Sequence, residues 1–251
     1  MKMTTQIGAA AITLAAALAP AHAGPKATPE LNAAAAKCFG KAHATWPDLI
    51  LACDKVIKAN VSPATKAGAH YNRGSAYMRL GGGTNALADF TAALKLKPDF
   101  SRALQARGGL YVGQGKFDLA IADLSKAITI DPKSSAAFNN RAMAYMGKRQ
   151  TDKAIADFTK AIELDPADGT SYATRGSAYM TTGDKTKALA DLNKAIQLDP
   201  KQTMALFNRG QLHLANGDKA NAKADFQAVL AIAPSHKEAK AQLDAIAKAG
   251  G

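Results

Sequence analysis

The sequence predicts an all-α fold, a solenoid in which antiparallel helix hairpins stack one on the next. The first observation is a fixed period, because one proline recurs at a constant interval, at Pro98, Pro132, Pro166, Pro200 and Pro234. The second is that apolar residues between these prolines recur at the three- and four-residue spacing of helices. A period of this length is typical of repeat arrays whose units contact only their neighbours. We therefore expect five tandem units over residues 67–236.

The N-terminal stretch 1–23 is predicted to be a signal peptide. Lys2 precedes an apolar run from Ile7 to Leu18, and Ala21-His22-Ala23 forms a small-residue cleavage site. The run is shorter than the ~20 apolar residues that a membrane-spanning helix needs. We therefore expect cleavage near Ala23, an exported product that is periplasmic or secreted, and no membrane span.

The next segment, 24–66, is predicted to form an N-terminal helical hairpin. Two runs with helical character, residues 31–43 and 49–60, flank the corner Trp46-Pro47-Asp48. Cys38 and Cys53, the two cysteines of the chain, fall one on each run. An even cysteine count in an exported protein favours a disulfide between them, the alternative being two buried free thiols.

Each repeat unit is predicted to hold a first and a second helix. In the central unit, the first helix carries Phe138 and Tyr145 on one face, and the second carries Ile155 and Phe158 on one face. Proline cannot continue the second helix, so the chain turns there and begins the next unit. After the fifth unit, residues 237–251 are expected to form a capping helix.

Glycines recur at two positions of the unit. One set is expected to take a positive φ in the turn between the helices: Gly81, Gly115, Gly183 and Gly217. The other set lies inside the first helix, at Gly74, Gly108, Gly176 and Gly210, with Ala142 in the remaining copy. Because a glycine there costs ~1 kcal/mol relative to alanine, a close helix contact is expected. We expect its partner to be the alanine of the second helix, at Ala86, Ala120, Ala154, Ala188 and Ala222.

These recurring residues resemble the tetratricopeptide repeat family. The family's pattern of small residue, tyrosine, alanine, aromatic, alanine and proline stands at Ala142, Tyr145, Ala154, Phe158, Ala161 and Pro166. The resemblance implies a right-handed superhelix whose concave groove, lined mainly by the first helices, binds peptides or protein segments. It does not imply an enzyme. The motifs Asn72-Arg73-Gly74 and Asn208-Arg209-Gly210 further resemble an exported bacterial subtype of the family.

Two ladders of charge follow the same period. The arginines are Arg73, Arg107, Arg141, Arg175 and Arg209. The aspartates are Asp89, Asp123, Asp157, Asp191 and Asp225. The arginines could grip an acidic peptide, or each could pair with an aspartate of its own or an adjacent hairpin. Only the second reading accounts for both ladders, so we predict structural ion pairs.

Positions that differ between the copies are the better candidates for a binding surface, because a shared scaffold needs no variation there. The candidate groove residues are Tyr71, Asn72, Gln105, Asn139, Asn140, Met143, Thr174, Phe207, Asn208 and Gln211. Asparagine side chains can hold a bound backbone, and the aromatic rings could accept apolar anchors. The flexible methionines Met78, Met146 and Met180 could do the same or pack against the next hairpin.

Composition and motifs limit the remaining functions. The formal net charge of +12 favours acidic partners, but the lysines are scattered along the chain. The sequence shows no catalytic constellation, phosphate loop or metal spacing, so we expect no enzyme, metal, cofactor or small-molecule substrate. We predict an exported scaffold or adaptor that holds a peptide in cell-envelope assembly. The alternative is a basic binder of an anionic polymer, an acidic glycan or nucleic acid, of which nucleic acid is the less expected.

Overall fold

The computed structural model describes residues 28–248, and the predicted signal peptide lies outside them. The described residues form 13 α-helices and no strand, so the predicted all-α fold class is confirmed. They divide into two compact units, the first ending at Leu110 and the second beginning at Tyr111. The helices are α1 (Pro29–Cys38), α2 (Trp46–Lys58), α3 (Pro63–Arg79), α4 (Gly83–Leu96), α5 (Ser101–Gly113), α6 (Phe117–Ile130), α7 (Ser135–Gly147), α8 (Thr151–Leu164), α9 (Gly169–Thr182), α10 (Lys185–Leu198), α11 (Thr203–Ala215), α12 (Lys219–Ile232) and α13 (Lys237–Lys248).

The first unit begins with the hairpin of α1 and α2. Thr45 caps α2, since its hydroxyl accepts from the Asp48 N–H while the Asp48 carboxylate accepts from the Thr45 N–H. The Cys38 and Cys53 sulfurs are bonded, with the Cα atoms 4.8 Å apart, and both side chains are buried. This hairpin packs on α3, which begins at Pro63, so the predicted boundary at residue 67 falls inside that helix.

In the second unit, α7 packs on α8, α9 on α10 and α11 on α12, and α13 covers α12. The predicted role of proline is visible after α8, where Asp165 leaves the helix with φ −140° and ψ 85°, directly before Pro166. The Asp165 carboxylate then accepts from the Ala167 N–H at 3.2 Å and holds the turn. The second helix therefore stops where the sequence pattern placed its end.

Glycine takes a positive φ in these turns, as predicted, with 81° at Gly183 and 80° at Gly217. The third copy has Arg149 there, and this residue adopts the left-handed conformation itself, with φ 58°. For a residue with a Cβ atom that conformation costs roughly 1–2 kcal/mol. The turn geometry is thus kept in every described copy of the second unit, with or without glycine.

The glycines inside the first helices meet a larger partner than the predicted alanine. A Cβ atom at Gly210 would lie 2.7 Å from the ring of Phe226, and one at Gly74 would lie 2.9 Å from the ring of Phe90. Both rings are fully buried. At these two crossings the nearest partner is therefore a phenylalanine of the second helix rather than the predicted alanine, whereas a Cβ atom at Gly176 would lie 3.0 Å from Leu192 and 3.3 Å from the Ala188 carbonyl.

Candidate functional site: the first helices of the repeats

Within a hairpin, the arginine of the first helix binds the aspartate of the second through two parallel hydrogen bonds. Arg141 donates from Nε to Asp157 Oδ2 at 2.7 Å and from Nη2 to Asp157 Oδ1 at 2.8 Å. This fork geometry is the strong form of a charge-assisted hydrogen bond. The same two bonds join Arg73 to Asp89, Arg175 to Asp191 and Arg209 to Asp225.

Hydrogen bonding between the partners favours the charged forms of Arg141 and Asp89. The hydrogen bond to Asp157 raises the pKa of Arg141 above its ordinary value, against the opposing effect of burial. Burial would raise the pKa of Asp89, but hydrogen bonds from His70 and Arg73 outweigh it and lower that pKa below its ordinary value. Because the aspartates of these four pairs are buried and the arginines are held at two atoms, the four pairs present no free charged group to a ligand.

The third nitrogen of each arginine reaches the preceding hairpin. Arg141 Nη1 donates to Ser125 Oγ at 3.0 Å, and Arg175 Nη1 donates to Thr159 Oγ1 at 3.0 Å. Sequence reasoning missed these acceptors, although they recur at the repeat interval, at Thr91, Ser125, Thr159 and Asn193. Arg141, Arg175 and Arg209 thus each tie their own hairpin together and also fasten it to the one before.

Three predicted groove residues are engaged within the protein. Asn72 Nδ2 donates to the Cys38 carbonyl at 2.9 Å, and Asn139 Nδ2 donates to Ser171 Oγ at 2.8 Å. Thr174 is buried, and its hydroxyl donates to the Thr170 carbonyl at 2.9 Å. The two asparagines join successive first helices, so their amide groups hold the stack.

The two predicted aromatic groove residues are half-buried and pack inside the protein. The ring of Tyr71 lies 5.1 Å from that of Phe100, and the ring of Phe207 lies 5.6 Å from that of Phe226. The ring of Phe207 also contacts His236, at 5.0 Å. Each ring therefore offers only part of its surface to a partner.

The methionines divide into two groups. Met146 and Met180 are half-buried and pack against core clusters of their hairpins. Met78 and Met143 are exposed, at 44% and 40%. Met78 and Met143, like Met204 on α11, therefore expose more apolar side chain to a partner than Met146 and Met180 do.

Four predicted groove residues remain available in the second unit. Asn140 and Met143 lie one turn apart on α7, and Asn208 and Gln211 lie one turn apart on α11 in the same register. All four are half-buried or exposed, and their side chains make no hydrogen bond within residues 28–248. Gln105, in the first unit, is half-buried. The free side chains of α7 and α11 form the candidate binding surface.

Residues 28–248 contain no cluster of three or more histidine, cysteine, aspartate or glutamate side chains that could hold a metal ion. Among the helices of the same range, none is long and apolar enough to cross a membrane. The candidate site is thus a surface built from amide and apolar groups.

The fold and this surface define a helix-hairpin repeat protein, and family comparison agrees. One tetratricopeptide repeat profile matches residues 135–168, and a second matches residues 71–135 and 174–237. The chain belongs to the tetratricopeptide repeat family, whose proteins are scaffolds for protein interaction. No curated protein matches it significantly in sequence.

Solved structures share the fold. A tetratricopeptide repeat protein from Parabacteroides merdae is 23% identical with a TM-score of 0.62, covering 86% of this chain and 82% of that one. The Cut9–Hcn1 hetero-tetramer of APC/C is 17% identical with a TM-score of 0.75, and the match covers 87% of this chain and 43% of that one. YrrB, a tetratricopeptide repeat protein with an unusual peptide-binding site, is 20% identical with a TM-score of 0.54, and the match covers 68% of this chain and 88% of that one. At these identities, the likeness extends to the fold alone.

Proposed function

We propose that this protein is an exported scaffold that holds an extended peptide or protein segment along the first helices α7, α9 and α11 and acts in cell-envelope assembly. The observation that carries the proposal is the set of free amide groups on these helices: Asn140 and Asn208 occupy equivalent positions of α7 and α11, and Gln211 lies one turn beyond Asn208. The neighbouring arginines are engaged in ion pairs. The surface therefore offers hydrogen bonds without a fixed charge.

Such a surface suits a peptide backbone. A side-chain amide both donates and accepts, so it can pair with a backbone carbonyl and a backbone N–H at once. Met143 and Met204, each 40% exposed, add flexible apolar surface for one or two side chains of the peptide. Three neighbouring helices at about 10 Å spacing span roughly 20 Å, which about seven residues of extended chain would cover.

Two observations support export. A buried disulfide between Cys38 and Cys53 persists in oxidising compartments and is rare where thiols are kept reduced. The predicted signal peptide, with its apolar run and small-residue cleavage site, would provide a route to such a compartment. Together they favour the periplasm or the exterior, where an adaptor for envelope proteins would act. The neighbour YrrB, whose description names a peptide-binding site, supports the class of ligand.

The alternative, a basic binder of an anionic polymer, is less favoured. Arg73, Arg141, Arg175 and Arg209 are all bound to buried aspartates and contribute little free positive charge. A polyanion would be held by the remaining lysines and would be released steeply as salt rises. Heparin binding that disappears between about 50 and about 500 mM NaCl, with no selection of peptides, would favour this alternative.

The test is selection of peptides of about ten residues from a random display library on the protein spanning residues 24–251. Gln211→Ala on α11 should weaken a selected peptide by about tenfold, because a hydrogen bond to the peptide is lost in a partly desolvated site. The matched control is Gln227→Ala on α12, which removes an exposed amide from the second helix of the same hairpin. Equal effects of the two variants would place binding elsewhere.

A further inference from the structure

We infer that the segment bound on α7, α9 and α11 is uncharged, a peptide of neutral polar and apolar residues. This inference rests on the proposed function and adds the chemistry of the partner. The surface is defined by positions i, i+4 and i+7 of each helix, which share one register across the three. These positions, called here the neutral strip, are Ala136, Asn140, Met143, Thr170, Thr174, Ser177, Met204, Asn208 and Gln211, of which Thr174 is buried and the others are half-buried or exposed.

The neutral strip differs from the rest of the chain. Charged residues make up 21% of the sequence, and the chain carries a formal charge of +12. Nine positions drawn from that composition would carry about two charges, whereas the neutral strip carries none. The residues that lie beside it on the same helices, Asn139, Ala173 and Phe207, are uncharged as well. The positive charge of the protein therefore lies on other surfaces.

The contacts of the first helices make the strip continuous. Asn139 on α7 binds Ser171 on α9 at 2.8 Å, and Gln202, directly before α11, binds Thr170 on α9 with Nε2 and Oγ1 3.4 Å apart. These bonds join successive first helices near their N-terminal ends. The strip can therefore be followed by one peptide that crosses the three helices.

The arginines of these helices and two lysines of their turns are engaged. The guanidinium groups of Arg141, Arg175 and Arg209 are held by aspartates of the second helices. In the turns, Lys148 binds Asp118, and Lys185 Nζ donates to Asn216 Oδ1 at 3.0 Å. A ligand lying on the strip would meet amide, hydroxyl and thioether groups and no charged side chain of the strip itself, while the exposed Lys133 and Lys201 stand in the turns before α7 and α11.

This environment selects against charge in the ligand. A charged side chain that enters the strip loses part of its hydration and gains no opposite charge, which is unfavourable. A neutral segment loses less hydration and recovers hydrogen bonds from Asn140, Asn208 and Gln211. Selectivity would therefore come from the cost of desolvation, and a chain of net positive charge would still prefer a partner that is not acidic.

The first experiment compares three synthetic peptide pools of about ten residues that share their apolar positions. The remaining positions are serine and asparagine in the neutral pool, glutamate in the acidic pool and lysine in the basic pool. The neutral pool should bind at least about tenfold more tightly than either charged pool. Its affinity should change by less than about twofold between about 50 and about 500 mM NaCl, because few counterions are released.

The second experiment places a carboxylate in the strip. Gln211→Glu should weaken binding of the neutral pool by about tenfold, because the new charge is desolvated by the peptide. Gln227→Glu, the same change on the exposed face of α12, should leave the affinity for the neutral pool unchanged. If the acidic pool bound most tightly of the three, and Gln211→Ala abolished that binding, this inference would be overturned while the proposed function would stand. Failure of all pools, or binding that Gln211→Ala does not alter, would overturn both.

Discussion

Arg141 and Ser125 join two successive hairpins through one hydrogen bond, from Nη1 to Oγ at 3.0 Å. The other two hydrogen-bonding nitrogens of the same guanidinium, Nε and Nη2, bind Asp157 within the hairpin of Arg141. A single side chain therefore closes one hairpin and fixes it to the one before. Arg175 and Arg209 make the corresponding contacts in the next two repeats, so the residues that recur most strictly belong to the scaffold.

The first prediction concerns the pair of Arg141 and Asp157. Arg141→Met should lower the free energy of unfolding by about 3 kcal/mol, because the buried Asp157 carboxylate is left without its partner. The double variant with Asp157→Leu should be destabilised by less than the sum of the two single changes, since no unpaired charge remains. Urea unfolding followed by circular dichroism measures all three, with Lys160→Ala as an exposed control. Strict additivity would contradict the pairing.

The second prediction isolates the bond between hairpins. Ser125→Ala removes the acceptor of Arg141 Nη1, whereas Ser177→Ala removes a hydroxyl that makes no side-chain hydrogen bond within residues 28–248. Both changes gain the same helix propensity, so the difference between them reports the hydrogen bond. Ser125→Ala should be less stable than Ser177→Ala by about 1 kcal/mol in thermal or urea unfolding. Equal stabilities would show that the contact contributes nothing.

The third prediction concerns the helix crossing at Gly210. Gly210→Ala places a Cβ atom 2.7 Å from the ring of Phe226, which is fully buried. The clash should lower stability by roughly 1–3 kcal/mol, more than alanine gains in helix propensity. Calorimetry of the melting transition measures the change. A raised melting temperature would mean that Phe226 moves aside at no cost.

The fourth prediction concerns the disulfide of the N-terminal hairpin. Replacing Cys38 and Cys53 together by alanine should destabilise this hairpin by about 3 kcal/mol in the loop-entropy account. Because α1 and α2 pack only at the start of the array, the loss should appear as faster amide hydrogen exchange there and leave α11 and α12 unchanged. Unaltered exchange in α1 and α2 would contradict a stabilising role.

The fixed period of the sequence was enough to predict the helices, their turns and the fold class. It works because each unit repeats the same local signals, a turn glycine such as Gly183 and a closing proline such as Pro166. The arginine–aspartate pairing was also predictable, because both ladders keep one period. What recurs in a repeat protein is the part that every hairpin needs.

The sequence was less informative where two hairpins meet. Asn139 and Asn72 looked like free groove residues, but each reaches an acceptor in a neighbouring hairpin. Such contacts depend on the distance between successive helices, which periodicity does not contain. The acceptors Ser125, Thr159 and Asn193 were missed because their residue types differ, although they share a register and a function. A search by chemical role at each register would have found them.

The division between scaffold and binding surface is tested most directly by a hydrogen-exchange footprint of a selected peptide. The account predicts slower amide exchange on α7, α9 and α11 when the peptide is bound, and no change on the second helices α8, α10 and α12. Side-chain contact at Asn208 would be confirmed by loss of this footprint in Asn208→Ala. Protection confined to α8, α10 and α12 would contradict the account and move the binding surface to the opposite side of the hairpins.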